Sequence, residues 1–324
     1  MDALSDVLRT VRLKGAIFFD VHASDPWAAE TPAGAEIVAR MFPDAEHLIS
    51  YHAITRGRCW AVVAECPPLF LEAGDVVVIP HGDAHVLSSA PGGRGTKDLR
   101  RYRAPSELEL PVSISMGSGT SQSAGFICGF LGCDARPYNP LLSSLPRVFK
   151  VSDPEDGPLG AYVQIALAES KRPRIGSQSV LGRLSELMFV DVIRRYLETL
   201  PSNRLDWLAG LRDPCIGRAL AEIHRDPARV WTLELLARKV AMSRSAFAAH
   251  FMKFVGTPPM QYLANWRMQI AANRLLGTTD SVAVVANSVG YDSEAAFSRA
   301  FKKVVGVPPS VWRRKRRAPS GASA

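Results

Sequence analysis

Residues 236–259 read LARKVAMSRSAFAAHFMKFVGTPP, and residues 285–309 read VANSVGYDSEAAFSRAFKKVVGVPP. With one extra residue in the second turn, the two stretches align. Ala237 falls on Ala286, Val240 on Val289, Ala241 on Gly290, Phe247 on Phe297, Phe251 on Phe301, Lys253 on Lys303 and Gly256 on Gly306, and both copies end in Pro-Pro. Each copy opens as a short apolar helix, breaks at a tight turn and resumes as a longer helix. In that longer helix, phenylalanines four apart face inward and a basic face looks outward. Ser243 in the first copy, and Asp292 or Ser293 in the second, suit the N-cap. Gly256 can end its helix in a left-handed conformation, and Pro258-Pro259 bars continuation. This is the layout of a helix-turn-helix, written twice.

The flanking sequence supports that layout. Ile216, Leu220 and Ile223 share one face of a helix that Pro227 ends, and Thr232 can cap LELLARKVA, with Leu235, Leu236 and Val240 inward. A longer helix over about 260–276 joins the copies, with Leu263, Trp266 and Ile270 as its apolar stripe and Arg267 and Arg274 as polar positions. Val284, Val285 and Val289 are expected to pack inward in the second copy. The run RRKRR (313–317) is expected to be a disordered basic arm, followed by a disordered tail over 318–324.

Charge separates the chain into two parts. From Cys215 onward there are 17 Lys+Arg against 6 Asp+Glu, a net of +11, whereas residues 1–214 carry a net of −3. The positive excess coincides with the repeat, where a phosphate-binding surface needs it. Two helix-turn-helix units at this spacing point to a grip on two successive major-groove faces of DNA. Arg244 and Arg299 lie on the outward faces and suit bidentate contact with guanine or with phosphate.

At 324 residues the chain is long enough for two cores. No apolar run approaches the roughly 18 residues that span a bilayer, and the N-terminal stretch lacks a signal-peptide cleavage region, so a cytoplasmic location is expected. The five cysteines (Cys59, Cys66, Cys128, Cys133, Cys215) are odd in number and scattered, unlike a secreted disulfide framework. Cys128-x4-Cys133 has no second close pair to complete a metal site and reads as buried free thiols.

The stretch GYDSEAAFSRAFKKVVGVPPSVWR (290–313) resembles the signature of the AraC/XylS family of bacterial transcription regulators: Gly-aromatic-x-Ser, Phe-x-Arg-x-Phe-Lys, Gly-x-x-Pro and a closing aromatic-Arg. The likeness covers roughly residues 215–313. Trp312 stands where tyrosine is usual. The resemblance implies a regulator whose two units bind adjacent major grooves of promoter DNA, with RNA polymerase and a second copy of the chain as further partners. Carried over by position, the base-facing residues are Ser245, Ala248 and Ala249 in the first unit and Glu294, Ala295, Ser298 and Arg299 in the second. Arg244, Ser293 and Lys302 join the DNA-facing set from their places on the outward faces and at the cap of the second helices. The carried-over residues of the first unit are poor in hydrogen-bonding side chains, which suits thymine-methyl contact or a positioning role.

Residues 16–115 show short Val/Ile/Phe runs between Gly and Pro turns, as a β-rich domain does. Within LEAGDVVVIPHGDAHVLSS (71–89), Gly74-x5-Pro80-x-Gly82-x2-His85 resembles the second motif of the cupin superfamily, a small β-barrel. Together with YHAITRGRCWAVV (51–63) and NPLLSSLPRV (139–148), it resembles the cupin-type sensor domain of one branch of the same family. The first cupin motif departs from its usual form, because its His-x-His and following Glu are absent and His47 and His52 stand alone. His52, His81 and His85 either converge on a three-histidine metal site, or hydrogen-bond in the core, or line an organic-ligand pocket. They are the candidate effector-binding residues, with no metal or cofactor expected.

Between these halves, 152–160 and 171–176 read as loops, and VLGRLSELMFVDVIRRYL (180–197) reads as an amphipathic helix. That helix is suited either to its own barrel or to a dimer partner. The expected architecture is α+β and multidomain: a cupin-like sensor over 1–150, a linker with that helix over 151–214, and an all-α double helix-turn-helix over 215–317. The expected function is a sequence-specific transcription regulator controlled by a small molecule, without catalytic residues. The alternatives are a cupin-type metalloenzyme tethered to DNA and an architectural DNA-binding protein with no effector.

Overall fold

The computed structural model describes residues 2–152, 157–201 and 203–315. Its strands are β1 (Lys14–Ser24), β2 (Ala28–Thr31), β3 (His47–Val63), β4 (Leu69–Glu72), β5 (Asp75–Ile79), β6 (His85–Ser88), β7 (Val112–Gly117), β8 (Ala124–Cys133) and β9 (Phe149–Ser152). Its helices are α1 (Ala3–Thr10), α2 (Gly34–Met41), α3 (Pro140–Ser144), α4 (Pro158–Lys171), α5 (Ser177–Thr199), α6 (Trp207–Arg212), α7 (Pro214–Arg225), α8 (Leu233–Lys239), α9 (Arg244–Val255), α10 (Pro259–Gly277), α11 (Val282–Ser288), α12 (Glu294–Val305) and α13 (Pro309–Lys315). The chain divides into two compact units. One is a sheet unit formed by residues 13–133 and 145–199; the other is a helical unit formed from the described parts of 1–12, 134–144 and 200–324.

The sheet unit is a single curled, cupin-like sheet in the order β2-β6-β3-β8-β1-β7, with β4 and β5 also on β3 and β9 on β5. All pairs are antiparallel except β1 with β7. The long strand β3 makes the curl. Ser50–Ala53 pair with β5, Arg58–Ala61 with β4 and Trp60–Val63 with β6, and the ladder with β8 slips between Ile54 and Arg56. A bulge of this kind bends a strand and strengthens its twist.

Strand β8 is buried along its whole length. It is covered on both faces, so it reads AGFICGFLGC without alternation. One face meets an aromatic core in which Phe18 and Phe130 pack edge-to-face at 5.4 Å. The other is covered by α5, which lays Leu181, Leu184, Met188 and Val192 inward. A side chain at Gly15 would stand 2.7 Å from Ser185 Oγ, so the glycine lets α5 approach β1. Tyr51 O–H then donates to Ser185 Oγ at 2.9 Å. The amphipathic helix thus packs on its own sheet. The stretch 152–160 corrects the loop expectation in its described part, because Pro158 opens α4. Proline suits the first helical turn, where its missing N–H costs nothing.

The helical unit is built around four fully buried phenylalanines, Phe247, Phe251, Phe297 and Phe301. Each is worth roughly 1.5–3 kcal/mol by burial. Trp312 lies on Phe301 with ring centroids 6.3 Å apart. Segments distant in sequence join this unit: Arg12 clasps Asp134 through two bonds of 2.6 and 2.8 Å, and Tyr138 N–H donates to the buried Gln269 Oε1 at 2.8 Å. Two local expectations are corrected. Val284 is 49% exposed, because the inward face of α11 passes through Val285 and Val289 instead. Arg313 is held in α13, its guanidinium donating to the carbonyls of Leu275 (3.3 Å) and Asp280, so the basic run does not begin as a free arm. Arg316, Arg317 and the tail 318–324 lie outside the described residues.

Candidate functional site

The two halves of the repeat are built by the same bonds. Thr232 and Ser281 cap α8 and α11, accepting from Leu235 N–H (3.1 Å) and Val284 N–H (3.2 Å). In the turns, Ala241 and Gly290 take left-handed backbone, and the next residues, Met242 and Tyr291, donate N–H to Ala237 and Ala286 carbonyls at 3.0 Å in both copies. Ser243 and Ser293 cap the second helices, accepting from Ala246 (3.3 Å) and Ala296 (3.2 Å). Gly256 and Gly306 close them in left-handed conformation.

This construction leaves one face of α9 and one face of α12 uncovered. Arg244, Ser245 and Ala249 are exposed and Ala248 is half-buried; Ser293, Glu294, Ala295, Arg299 and Lys302 are exposed and Ser298 is half-buried. Arg244 lies 3.0 Å from Glu234, but both are largely exposed, and such a surface pair is worth at most about 1 kcal/mol. Arg244 can therefore change partners. The chemistry of the two faces differs. Apart from Arg244, the first carries short side chains, whereas the second carries an acid, a hydroxyl and two cations.

A residue read from sequence only as polar ties the repeat together. Arg267, on α10, donates to Pro227 O (2.7 Å), Arg229 O (2.9 Å) and Gly290 O (3.4 Å), and its guanidinium lies 5.7 Å from the Tyr291 ring. It bonds the loop before the first helix-turn-helix to the turn of the second. Nothing local in the sequence marks it, because all its acceptors are backbone carbonyls of distant residues.

The sheet unit holds a cavity of about 220 Å³. Phe19, Val21, Leu87, Phe126, His52 and Cys128 are among the residues lining it. His52 and His85 are both buried and meet Nε2 to Nε2 at 2.7 Å; His52 Nδ1 lies 3.0 Å from Cys128 Sγ, and His85 Nδ1 lies 2.9 Å from Asp83 O. These distances fix the protons. A carbonyl only accepts, so His85 carries its proton on Nδ1 and accepts at Nε2. His52 therefore donates from Nε2 and accepts at Nδ1, and Cys128 donates its S–H. Burial pushes His52 well below its ordinary range and His85 down to about 4, and it pushes the Cys128 thiol up, so all three stay neutral.

His81 is not part of this chain. It is exposed, and its Nε2–H donates to Leu145 O at 2.9 Å. The structure thus brings two of the three candidate histidines together. It adds Cys128, which sequence reasoning had set aside and which lies directly opposite His52 in the β3–β8 register. The residues present do not fit a cupin metal, since both ring nitrogens of His52 are already engaged. Among the described residues no three His, Cys, Asp or Glu side chains are gathered for a metal. No described helix is long and apolar enough to cross a membrane.

Comparison with known proteins agrees with this architecture. A family model described as Cupin matches residues 2–198, and one described as Helix-turn-helix domain matches residues 236–315. A putative AraC-like transcription regulator of Streptomyces lividans is 33% identical over 320 residues, covering 97% of this chain and 98% of its own. The HTH-type transcriptional regulator AlkR of Acinetobacter baylyi is 28% identical over 321 residues, covering 97% of this chain and 100% of its own. Among solved structures, the DNA-binding domain of AdpA in complex with a target DNA is 29% identical, covers 34% of this chain and 99% of that one, and has a TM-score of 0.32. The chain belongs to the AraC-like transcription regulators, DNA-binding proteins that here join a cupin domain to a double helix-turn-helix.

Proposed function

We propose that this regulator reads promoter DNA through the exposed faces of α9 and α12 and answers to a small molecule held in the sheet-unit cavity. The DNA-reading work falls within residues 215–317 and the sensing work within residues 1–150. The observation that carries the reading is the pair of uncovered faces, presented by matching serine caps and left-handed turn residues. In α12, Arg299 is assigned to guanine and Glu294 to the amino group of cytosine, with Ser293, Ser298 and Lys302 on phosphate or neighbouring bases. In α9, Ser245, Ala248 and Ala249 pack against thymine methyls while Arg244 contacts phosphate, so the first unit mainly sets register. His52 is the effector-facing histidine, and His85 acts through it. The chain works in the cytoplasm as a regulator without catalysis, with RNA polymerase and a second copy as protein partners.

The test is a footprint of the full chain on DNA flanking its own gene, followed by two substitutions. Arg299→Ala is expected to weaken specific binding by about 1–3 kcal/mol and to relax preference at one base pair of the second half-site. Lys303→Ala, at the rim, is expected to weaken binding evenly across sequences and to reduce the salt slope by about 0.9. Equal small effects with unchanged base preference would remove Arg299 from base reading.

A further inference from the structure

We propose that the effector is a compact ring system, of one or two fused rings, that carries a hydrogen-bond donor and no negative charge. This rests on the effector reading above and adds the ligand's chemistry to it. Size sets the first limit. A cavity of about 150 Å³ takes up benzene, and the cavity here is about 220 Å³, which is room for one bicyclic molecule. The wall sets the second. Phe19, Leu87 and Phe126 are buried apolar surface, and Ile114 and Met116 add half-buried apolar surface from strand β7.

Charge decides the rest. The deep polar groups are neutral and already engaged: His52 uses both ring nitrogens, Cys128 gives its proton to His52, and the Tyr102 hydroxyl is hydrogen-bonded with Thr31. Among the described residues the charged members of the lining are Glu30, Asp98 and Arg101. The Glu30 and Asp98 side chains are 18% and 25% exposed, against 53% for Arg101, so the carboxylates are less exposed than the cation. Arg101 is paired with Asp98 at 3.5 Å, Arg100 also holds Asp98 at 2.9 Å, and Lys97 is shared between Glu30 and Glu36 at 3.8 Å. Arg101, the one cation among the described lining residues, is therefore already paired with a lining carboxylate. A carboxylate ligand would lose its hydration and meet two anions against a single lining cation, which Asp98 already shares with Arg100. An indole or amide N–H would instead find acceptors in Glu30 and Asp98.

The test compares indole-3-carboxamide with indole-3-carboxylate on the full chain by calorimetry, since the two share ring and size and differ in charge. The carboxamide is expected to bind at least about tenfold more tightly, a difference of about 1.4 kcal/mol. Equal or tighter binding of the carboxylate overturns the charge assignment and leaves the effector reading standing. Binding of neither compound overturns the ring-sized ligand. Ile114→Trp and Met116→Trp each fill the cavity from half-buried positions, and loss of carboxamide binding in either folded variant is expected. Undiminished binding in both overturns the cavity as the effector site. Glu30→Gln combined with Asp98→Asn is expected to narrow the tenfold gap, and an unchanged gap overturns the role given to those carboxylates.

Discussion

Lowering the pH from 7 to 4 is expected to remove about 3 kcal/mol of folding stability through His85 alone. Burial holds the folded-state value of His85 near 4, below the ordinary 6.5, so the unfolded chain takes up the proton first. Stability from this group is therefore fully present above about pH 6.5 and is lost as the pH falls towards 4. The structural cause is specific. Protonating His85 at Nε2 would set two N–H groups against each other across the 2.7 Å contact with His52. His52 and His47 act with the same sign, both lowered first by burial, and so does His224, lowered to about 3 in the helical unit where it stacks on Trp266 at 4.0 Å. His85→Gln keeps an acceptor and a donor but does not titrate. Urea titrations across this range should show the variant less stable at pH 7 and flatter below pH 6.5, with the remaining slope due to the other histidines. A slope identical to the unsubstituted protein would show that the His52–His85 contact does not control acid stability.

Gly290→Ala is expected to cost about 2–5 kcal/mol, although the equivalent turn of the first copy already holds an alanine. Left-handed backbone at φ +81 accounts for about 1–2 kcal/mol of this. The remainder is overpacking, worth about 1–3 kcal/mol. The new methyl carbon would sit 2.4 Å from Ala228 O and 2.8 Å from Arg267 Nη2. Ala241, at φ +57, accommodates the same conformation with a side chain in place, so Ala241→Gly should stay within about 1 kcal/mol of the parent. Pushing Arg267 away also loosens its bond to Gly290 O, so DNA protection by Gly290→Ala should fail first over the half-site proposed for α12. Thermal melts of the two variants side by side check the asymmetry. Equal losses would mean that the two turns are equally free and that Arg267 does not tie them.

The double helix-turn-helix was legible because its determinants are local. A serine cap, phenylalanines four apart and a glycine before a proline act within one or two turns of helix, and the same short pattern occurs twice. The cupin motif was legible for the same reason: Gly74 and Gly82 turn the chain into and out of β5, whose five residues are all buried. Where a local cue was overlooked, as with Pro158 opening α4, the information was still in the sequence.

The geometry around the cavity lay beyond that reach. His52 and Cys128 are 76 residues apart and face each other only because β3 pairs with β8. His52 and His85 meet because β3 curls from one set of partners to another. His81, four residues from His85, turns instead to Leu145 O. Arg267 and the joining of segments 1–12 and 134–144 to the helical unit depend likewise on backbone acceptors and partners far along the chain. Sequence alone determined the DNA-reading architecture, since helix caps, turns and amphipathic spacing are encoded over a few residues. Only the tertiary structure decided which histidines meet, which arginine ties the repeat and which charges rim the cavity, because strand register and long-range hydrogen bonds carry no local sequence signal.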